Sequence, residues 1–152
     1  MTGPRTPRAT VELPPADAAA KILLVDDDFA IIDGVSDFLE SEGFSVAPAS
    51  NGLDALNQLR CGLQVDVIVL DVMMPVMDGW DFRAEQLADR SLRDIPVVVI
   101  SASGFSRDTL QRQFYAYDVL PKPLDLDGFL QALKAVCGGP DTGSTSSPAQ
   151  TQ

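Results

Sequence analysis

Polar side chains of definite types follow four apolar segments of the chain, each at the point where the segment ends. They are Asp26, Asp27 and Asp28 after Leu23 to Val25, Asp71 after Val67 to Leu70, Ser101 after Val97 to Ile100, and Lys122 after Val119 to Pro121. Short apolar runs rich in β-branched residues are typical of strands buried on both faces of a parallel sheet. Parallel strands end at one edge of their sheet, so we expect these carboxylates, the hydroxyl and the ammonium group to share one crevice.

These groups suit phosphoryl chemistry assisted by a metal ion. Carboxylate oxygens are ligands for Mg²⁺, which typically keeps its other positions for water or phosphate oxygens. Lysine and serine donate to phosphate oxygens, and a carboxylate can itself accept a phosphoryl group. Each residue alone has a plainer explanation, and Asp28 is expected to be the N-cap of the next helix. Solvation does not explain the whole set, because like charges gathered at matching strand ends repel one another without a cation.

Composition narrows the classes of function. The 152 residues are 45% hydrophobic and carry a formal net charge of -11, which favours one globular domain and disfavours direct binding to nucleic acid or an anionic membrane. No stretch is long and apolar enough for membrane insertion. The sequence has no histidine, which excludes histidine-based acid-base catalysis and histidine metal ligands. Cys61 and Cys137 form no CxxC pair, so a cytoplasmic protein with reduced thiols is the simplest interpretation.

Alternating strand-like and helix-like segments predict the architecture. The proline-rich residues 1–20 and the polar residues 139–152 are expected to be disordered arms around a domain over 21–138, because they lack apolar surface to offset ordering entropy. Predicted strands cover 22–25, 44–47, 67–70, 97–100 and 118–120; predicted helices cover 31–39, 52–60, 80–88, 109–115 and 126–136. Leu53 and Leu126 are assigned to the buried faces of their helices. The alternation predicts an α/β fold with a doubly wound, five-stranded parallel sheet and helices on both faces.

Four motifs together resemble the receiver domain of response regulators in two-component signalling. They are Ile22-Leu-Leu-Val-Asp-Asp-Asp28, Asp71-Val-Met-Met-Pro-Val-Met-Asp-Gly79, Pro96-Val-Val-Val-Ile-Ser-Ala102 and Lys122-Pro123. The resemblance spans about residues 21 to 137. It implies a flavodoxin-like sheet with strand order 2-1-3-4-5.

The resemblance also assigns roles at the site. It makes Asp71 the phosphoacceptor, and it makes Asp26, Asp27, Asp71 and the backbone carbonyl of Met73 the ligands of Mg²⁺. Lys122 would pair with the phosphoryl group. The implied donor is a histidine kinase or phosphotransfer protein, and the implied output is a downstream protein target. The domain would not be an enzyme beyond assisting its own phosphorylation and dephosphorylation with Mg²⁺.

Signal output is where the sequence departs from the family. Ser101 is implied to be the switch hydroxyl that moves toward the phosphoryl group, and the Lys122–Pro123 bond is implied to be cis. Val119 stands where the family usually has tyrosine or phenylalanine, and Tyr115 replaces a commonly small residue. Valine has no ring to move, so we expect coupling to run through Ser101 and the loop over 102–107.

Three functions stay open at this point. The first is a stand-alone receiver that signals through phosphorylation-dependent protein contacts, since the tail is too short and polar to fold as an output domain. The second is a receiver-like adaptor whose binding does not depend on phosphorylation. The third is a Mg²⁺-dependent phosphohydrolase, which is disfavoured because Met73 stands two residues after Asp71, where an acid-base residue is usual.

Overall fold

The computed structural model describes residues 20–102 and 104–137, and within them five parallel strands alternate with five helices. The strands are β1 (Lys21–Val25), β2 (Ser45–Ala49), β3 (Val67–Asp71), β4 (Val97–Ser101) and β5 (Asp118–Pro121). The helices are α1 (Phe29–Ser41), α2 (Gly52–Arg60), α3 (Gly79–Ala88), α4 (Arg107–Phe114) and α5 (Leu126–Val136). The two predicted disordered arms lie outside the described residues, apart from Ala20. No helix in the described ranges is long and apolar enough to cross a membrane.

The sheet has the order β2-β1-β3-β4-β5 with every neighbouring pair parallel, which confirms the predicted fold and the strand order 2-1-3-4-5. Its register aligns the strand ends. Val25 pairs with Leu70, and Asp71 pairs with Ile100. Ser101 pairs with Pro121, so the predicted polar residues follow or end their strands at one edge of the sheet.

The three inner strands are buried on both faces, which explains their uninterrupted apolar sequences. One face of β1, β3 and β4 joins the core beneath α2, α3 and α4; its strand residues are Leu23, Val25, Ile68, Leu70, Val97 and Val99. The other face packs under α1 and α5; its strand residues are Ile22, Leu24, Val67, Val69, Val98 and Ile100. Alternation along each strand therefore divides the apolar residues between two cores, as a doubly wound sheet requires.

Two predicted core positions are wrong. Leu53 is 42% exposed and Leu126 is 39% exposed, whereas α2 buries Ala55, Leu56 and Leu59. In α2, Leu53, Leu56 and Leu59 have i, i+3, i+6 spacing, and such a series drifts off one face because three residues advance a helix about 60° short of a full turn. Leu53 and Leu126 both lie in the first turn of their helices, at the side of the buried stripe.

Several element boundaries also differ from prediction. Strand β2 extends through Pro48 to Ala49, and proline is tolerated there because β2 is an edge strand that pairs only with β1. Helix α4 begins at Arg107, two residues earlier than predicted, because the Ser106 hydroxyl accepts a hydrogen bond from Thr109 N. Asp28 is the N-cap of α1, as predicted: its carboxylate accepts from the backbone of Ala30.

Candidate functional site

Three carboxylates meet at the carboxyl edge of the sheet. One oxygen from each of Asp26, Asp27 and Asp71 lies within 4.8 Å of the others, with Asp26 and Asp71 buried and Asp27 exposed. Asp26 is held from two sides: its backbone N–H donates to Ala49 O at 3.1 Å, and its Oδ1 accepts from Asp28 N at 2.9 Å. Strand register has therefore brought together residues 45 positions apart in sequence.

Lys122 lies between two of these carboxylates. Its Nζ is 3.0 Å from Asp26 Oδ2 and 3.3 Å from Asp71 Oδ1. The backbone N–H of Lys122 donates to Ser101 O at 2.8 Å, and the Lys122–Pro123 bond is cis, as the motif implied. Burial alone would lower the pKa of Lys122, but the contact with Asp26 and the charge of Asp71 outweigh it and raise that pKa. Lys122 is therefore charged at neutral pH and can move from a carboxylate to an incoming anion.

Asp71 is an unusually basic carboxylate. Its burial and the negative charge of Asp26 raise its pKa from 3.8 to about 6, although Lys122 opposes the rise. The group is still mostly ionised at pH 7, so it can act as a nucleophile. Ionisation nevertheless costs the folded state free energy, because the unfolded chain carries the same charge in water.

This raised pKa predicts a pH-dependent stability difference between the wild type and Asp71→Asn in metal-free solution. Below about pH 3 the carboxyl group is largely protonated in both the folded and the unfolded state. As pH rises towards the folded pKa, the unfolded state loses the proton first, and the wild type loses stability relative to the asparagine variant. The full shift corresponds to roughly 3 kcal/mol; allowing for the open mouth of the pocket, we expect about 2 kcal/mol at pH 7. Urea unfolding with a chelator, from pH 4 to 7.5, measures it; a difference that does not change with pH contradicts it.

The donor set fits a hard divalent cation. Asp26 Oδ2 is buried, and within the described part of the chain it accepts no hydrogen bond. Lys122 Nζ forms an ion pair with this oxygen at 3.0 Å, so part of the carboxylate charge is already balanced. A buried carboxylate oxygen without a hydrogen bond is costly, and a cation among three carboxylates would compensate that cost. The cluster can thus bind a metal ion.

The carboxylates line a cavity of about 380 Å³ that also contains the other predicted site residues. Met73 and Ser101 both line it, Ser101 being buried. Phe105 lines it as well, and none of the sequence motifs assigns this residue to the site. A large aromatic residue in the loop after β4, at the edge where the site lies, is the signal that could have found it. A larger cavity of about 600 Å³ beside Asp66 contains none of these groups.

The loop between β3 and α3 folds back tightly onto the end of β3. Met77 N donates to Pro75 O at 2.7 Å around Val76, whose φ is 70°, the geometry of a strained γ-turn. Gly79 N donates to Val72 O at 2.8 Å, and a Cβ on Gly79 would lie 2.6 Å from Asp71 O. Only glycine lets the start of α3 approach the end of β3 this closely, which explains the Asp78-Gly79 pair that ends the motif.

Comparison with known proteins agrees with this geometry. The model of the response regulator receiver domain family matches residues 22–134. The chain belongs to this family. Receiver domains are phosphoacceptors rather than classical enzymes, and they interact with histidine kinases.

Two relatives and one solved structure illustrate the match to this receiver. The chain is 37% identical over 118 residues to a homolog of the transcriptional regulatory protein CpxR from Haemophilus influenzae, covering 77% of this chain and 50% of the relative. It is 38% identical over 117 residues to the DNA-binding dual master transcriptional regulator RpaA of Synechocystis, covering 76% of this chain and 48% of the relative. The chemotaxis response regulator CheY4 of Vibrio cholerae has a TM-score of 0.70 and 31% identity, covering 78% of this chain and 98% of that chain. The receiver thus spans about half the length of the curated relatives it matches.

Proposed function

We propose that this receiver accepts a phosphoryl group on Asp71 from a histidine kinase or phosphotransfer protein, and that it signals through phosphorylation-dependent protein contacts. The observation that carries the proposal is the buried Asp71 carboxylate, with Lys122 Nζ 3.3 Å away and two further carboxylates in the same cavity. That arrangement supplies a nucleophile, a cation for the transferred charge and a metal site within one pocket.

The residues divide the reaction between them. An Asp71 carboxylate oxygen attacks the phosphorus atom, and the electron pair of the broken P–N bond leaves with the donor imidazole. Lys122 exchanges a carboxylate oxygen for a phosphoryl oxygen, and the Ser101 hydroxyl donates to another. Asp26, Asp27, Asp71 and the carbonyl of Met73 would hold Mg²⁺, which would neutralise charge on the transferred group. The same groups would assist hydrolysis of the acyl phosphate.

Incubation with acetyl phosphate and Mg²⁺ tests the proposal by intact mass. We expect one phosphoryl group per chain and release of phosphate limited by the lifetime of the adduct. No adduct would favour the receiver-like adaptor, whose contacts do not depend on phosphorylation. Rapid multiple turnover of phosphate esters would instead favour the phosphohydrolase.

Mg²⁺ is expected to stabilise the receiver. The ion binds the assembled carboxylate cluster and relieves its repulsion, so at roughly ten times its dissociation constant it should add about 1.4 kcal/mol to the free energy of unfolding. Asp27→Ala should abolish this gain, whereas the control Asp33→Ala, which alters an exposed aspartate on α1, should keep it. Thermal unfolding at matched ionic strength measures it. A melting temperature of the wild type that does not respond to millimolar Mg²⁺ contradicts the assigned site.

Output is proposed to run through the β4–α4 loop and α4. Val119 is buried, and beside it lies a cavity of about 560 Å³ that reaches Ser101 and Leu110. Val119 contributes no ring to this space, so we expect a change at Ser101 to reach α4 through the loop backbone and through Phe105, which also lines the cavity. We expect beryllofluoride, which mimics a phosphoryl group, to change amide exchange most in residues 102–117, of which residue 103 lies outside the described part.

A tyrosine at position 119 is expected to alter partner binding without altering the phosphorylation of Asp71. The adjacent cavity can take the ring, so Val119→Tyr should change partner affinity while leaving the phosphorylation rate of Asp71 within about twofold, because neither ligand nor nucleophile is altered. Exchange mass spectrometry and labelling with acetyl phosphate measure the two effects. Exchange changes confined to α1 and α2 would show that the output surface lies elsewhere.

We propose a receiver unit over 21–138 with disordered arms at 1–20 and 139–152, which limited proteolysis tests. A cytoplasmic location and the lack of direct nucleic acid contact are proposed from the net charge of -11 and from the reduced thiols expected of this sequence. DNA binding is a property of the relative RpaA, and we do not transfer it to this receiver. Whether the receiver acts without an output domain is tested by the size of the native protein in cell extracts.

A further inference from the structure

Trp80 connects the rim of the phosphoacceptor cavity to the far end of α4. It lies in the first turn of α3, and its ring is 4.3 Å from that of Phe114 with a 30° tilt. On its other side, Phe105 approaches edge-on, with the ring centroids 5.9 Å apart and the planes at 73°. Phe105 lines the cavity that holds Asp71, and Phe114 is fully buried at the last residue of α4. Aromatic pairs such as these are attractive and favour particular relative orientations of their rings.

Arg83, one turn further along α3, fixes the same end of α4. Its guanidinium donates to Phe114 O at 2.7 Å, to Tyr115 O at 3.0 Å and to Gln86 Oε1 at 2.7 Å. Arg83 is 6% exposed, and no carboxylate in the described part of the chain forms an ion pair with it. Its charge is instead balanced by carbonyl groups at the carboxyl end of α4, where a helix is partially negative. The end of α4 is therefore fixed to α3.

The loop that carries Phe105 has less support. Gly104 has a φ of 97°, and Phe105 is itself 44% exposed, with Trp80 as its aromatic neighbour. This loop begins one residue after Ser101, the hydroxyl expected to move with the phosphoryl group. A displacement of the loop must therefore change the Phe105–Trp80 contact before it changes the buried Phe114–Trp80 contact.

We propose that Trp80 is a positioning residue that couples the phosphoacceptor cavity to the α3–α4 corner, defined here as Trp80, Arg83, Phe114 and Tyr115. Phosphorylation of Asp71 would alter Phe105, Trp80 would pass the change to the end of α4, and Tyr115 would present it to a partner. Tyr115 is 73% exposed and has a φ of 51°, an uncommon conformation for tyrosine that the two hydrogen-bonded carbonyls help to hold. The inference rests on the proposed function, because it needs a phosphoryl group or its mimic on Asp71.

The chain offers two built-in probes for the test. Trp80 is its one tryptophan, so the intrinsic emission reports this contact directly. Tyr115 and Tyr117 are its two tyrosines, so fluorotyrosine labelling yields two ¹⁹F resonances that Tyr117→Phe assigns. Titration of the full chain with beryllofluoride and Mg²⁺, with binding followed separately by the ¹⁹F signal of the bound fluoride, is expected to change the Trp80 emission and to shift the Tyr115 resonance.

Matched variants decide whether the ring contact carries the change. Phe105→Leu should remove at least half of the Tyr115 shift and change beryllofluoride affinity roughly twofold to tenfold. Phe105→Tyr should restore both, and its additional ¹⁹F resonance is assigned by comparison with the wild type. Phe29→Leu, the same change at an exposed phenylalanine next to the acidic motif, should leave both unaltered. Beryllofluoride that binds without altering Trp80 or Tyr115, or a Tyr115 shift that persists in Phe105→Leu, overturns the inference and leaves the proposed function intact. Failure of beryllofluoride to bind overturns both.

Discussion

Asp71→Asn is expected to abolish the phosphoryl adduct while the domain stays folded. The amide oxygen is a poor nucleophile and carries no charge, so neither attack on phosphorus nor a stable acyl phosphate is available. Asparagine has nearly the shape of aspartate, and it removes the cost of ionising a buried group whose pKa is about 6. The expected loss of labelling with acetyl phosphate is therefore complete, and the variant should be at least as stable as the wild type without Mg²⁺.

The control is Asp33→Asn, which makes the same change on the exposed face of α1 and should label like the wild type. Intact mass measures the adduct, and circular dichroism verifies the fold. An adduct of unchanged size and yield on Asp71→Asn would falsify the assignment of the phosphoacceptor. Because Asp26 and Asp27 share the cavity, peptide mapping of any residual adduct would then identify the true acceptor.

The second large effect is expected at Arg83, where methionine should lower the free energy of unfolding by about 3 kcal/mol. Methionine keeps the apolar stem but removes donors to Phe114 O, Tyr115 O and Gln86 Oε1. Each buried acceptor left without a partner costs about 1–3 kcal/mol, and some relaxation towards water reduces the sum. Removing a buried cation also regains its desolvation cost, and replacing whole buried ion pairs can even stabilise a protein. Here the acceptors, two backbone carbonyls and the Gln86 amide oxygen, remain after the substitution, so the loss outweighs the gain.

Arg60→Met is the matched control for that experiment. The Arg60 side chain is largely exposed, and it pairs with Glu85 at 3.5 Å and with Asp89 at 3.3 Å. Exposed pairs of this kind contribute roughly 0–1 kcal/mol, so Arg60→Met should lower the free energy of unfolding only slightly. Urea unfolding of the two variants side by side measures the difference. Equal effects of the two substitutions would show that the Arg83 hydrogen bonds contribute little. Arg83→Lys should recover only part of the stability that Arg83→Met loses, because lysine lacks the planar fork of donors.

Trp80 and Arg83 of α3 both contact the end of α4, in a receiver that has no aromatic residue at position 119. In this chain the rings lie on the α3 side of α4, where Trp80 contacts both Phe105 and Phe114. Val119 on β5 packs into the same core as Phe114, and it borders a cavity of about 560 Å³ instead of contributing a ring. The ring contacts of α4 are thus made with α3, and we expect phosphorylation to change the protein surface there.

The sequence by itself determined the carboxyl edge of the sheet. Strands buried on both faces are recognisable as short apolar runs, and a polar residue that directly follows such a run must lie at the end of the strand. Because parallel strands share one edge, the positions of Asp26, Asp71, Ser101 and Lys122 in the chain were sufficient to predict that they meet. The order of the strands came from the resemblance to the receiver family, since alternation alone allows several orders.

Only the tertiary structure decided which side chains meet between helices. Arg83 and Gln86 are polar residues on a helix with little apolar periodicity, so the sequence favours solvent for both, yet both are buried. Their burial depends on the carboxyl end of α4 and the turn after α3 presenting carbonyls at that point. The exposure of Leu53 and the stacking of Trp80 have the same origin. Local pattern defines a helix and its approximate face, but the rotation and offset of each helix on the sheet are set by packing across the whole domain.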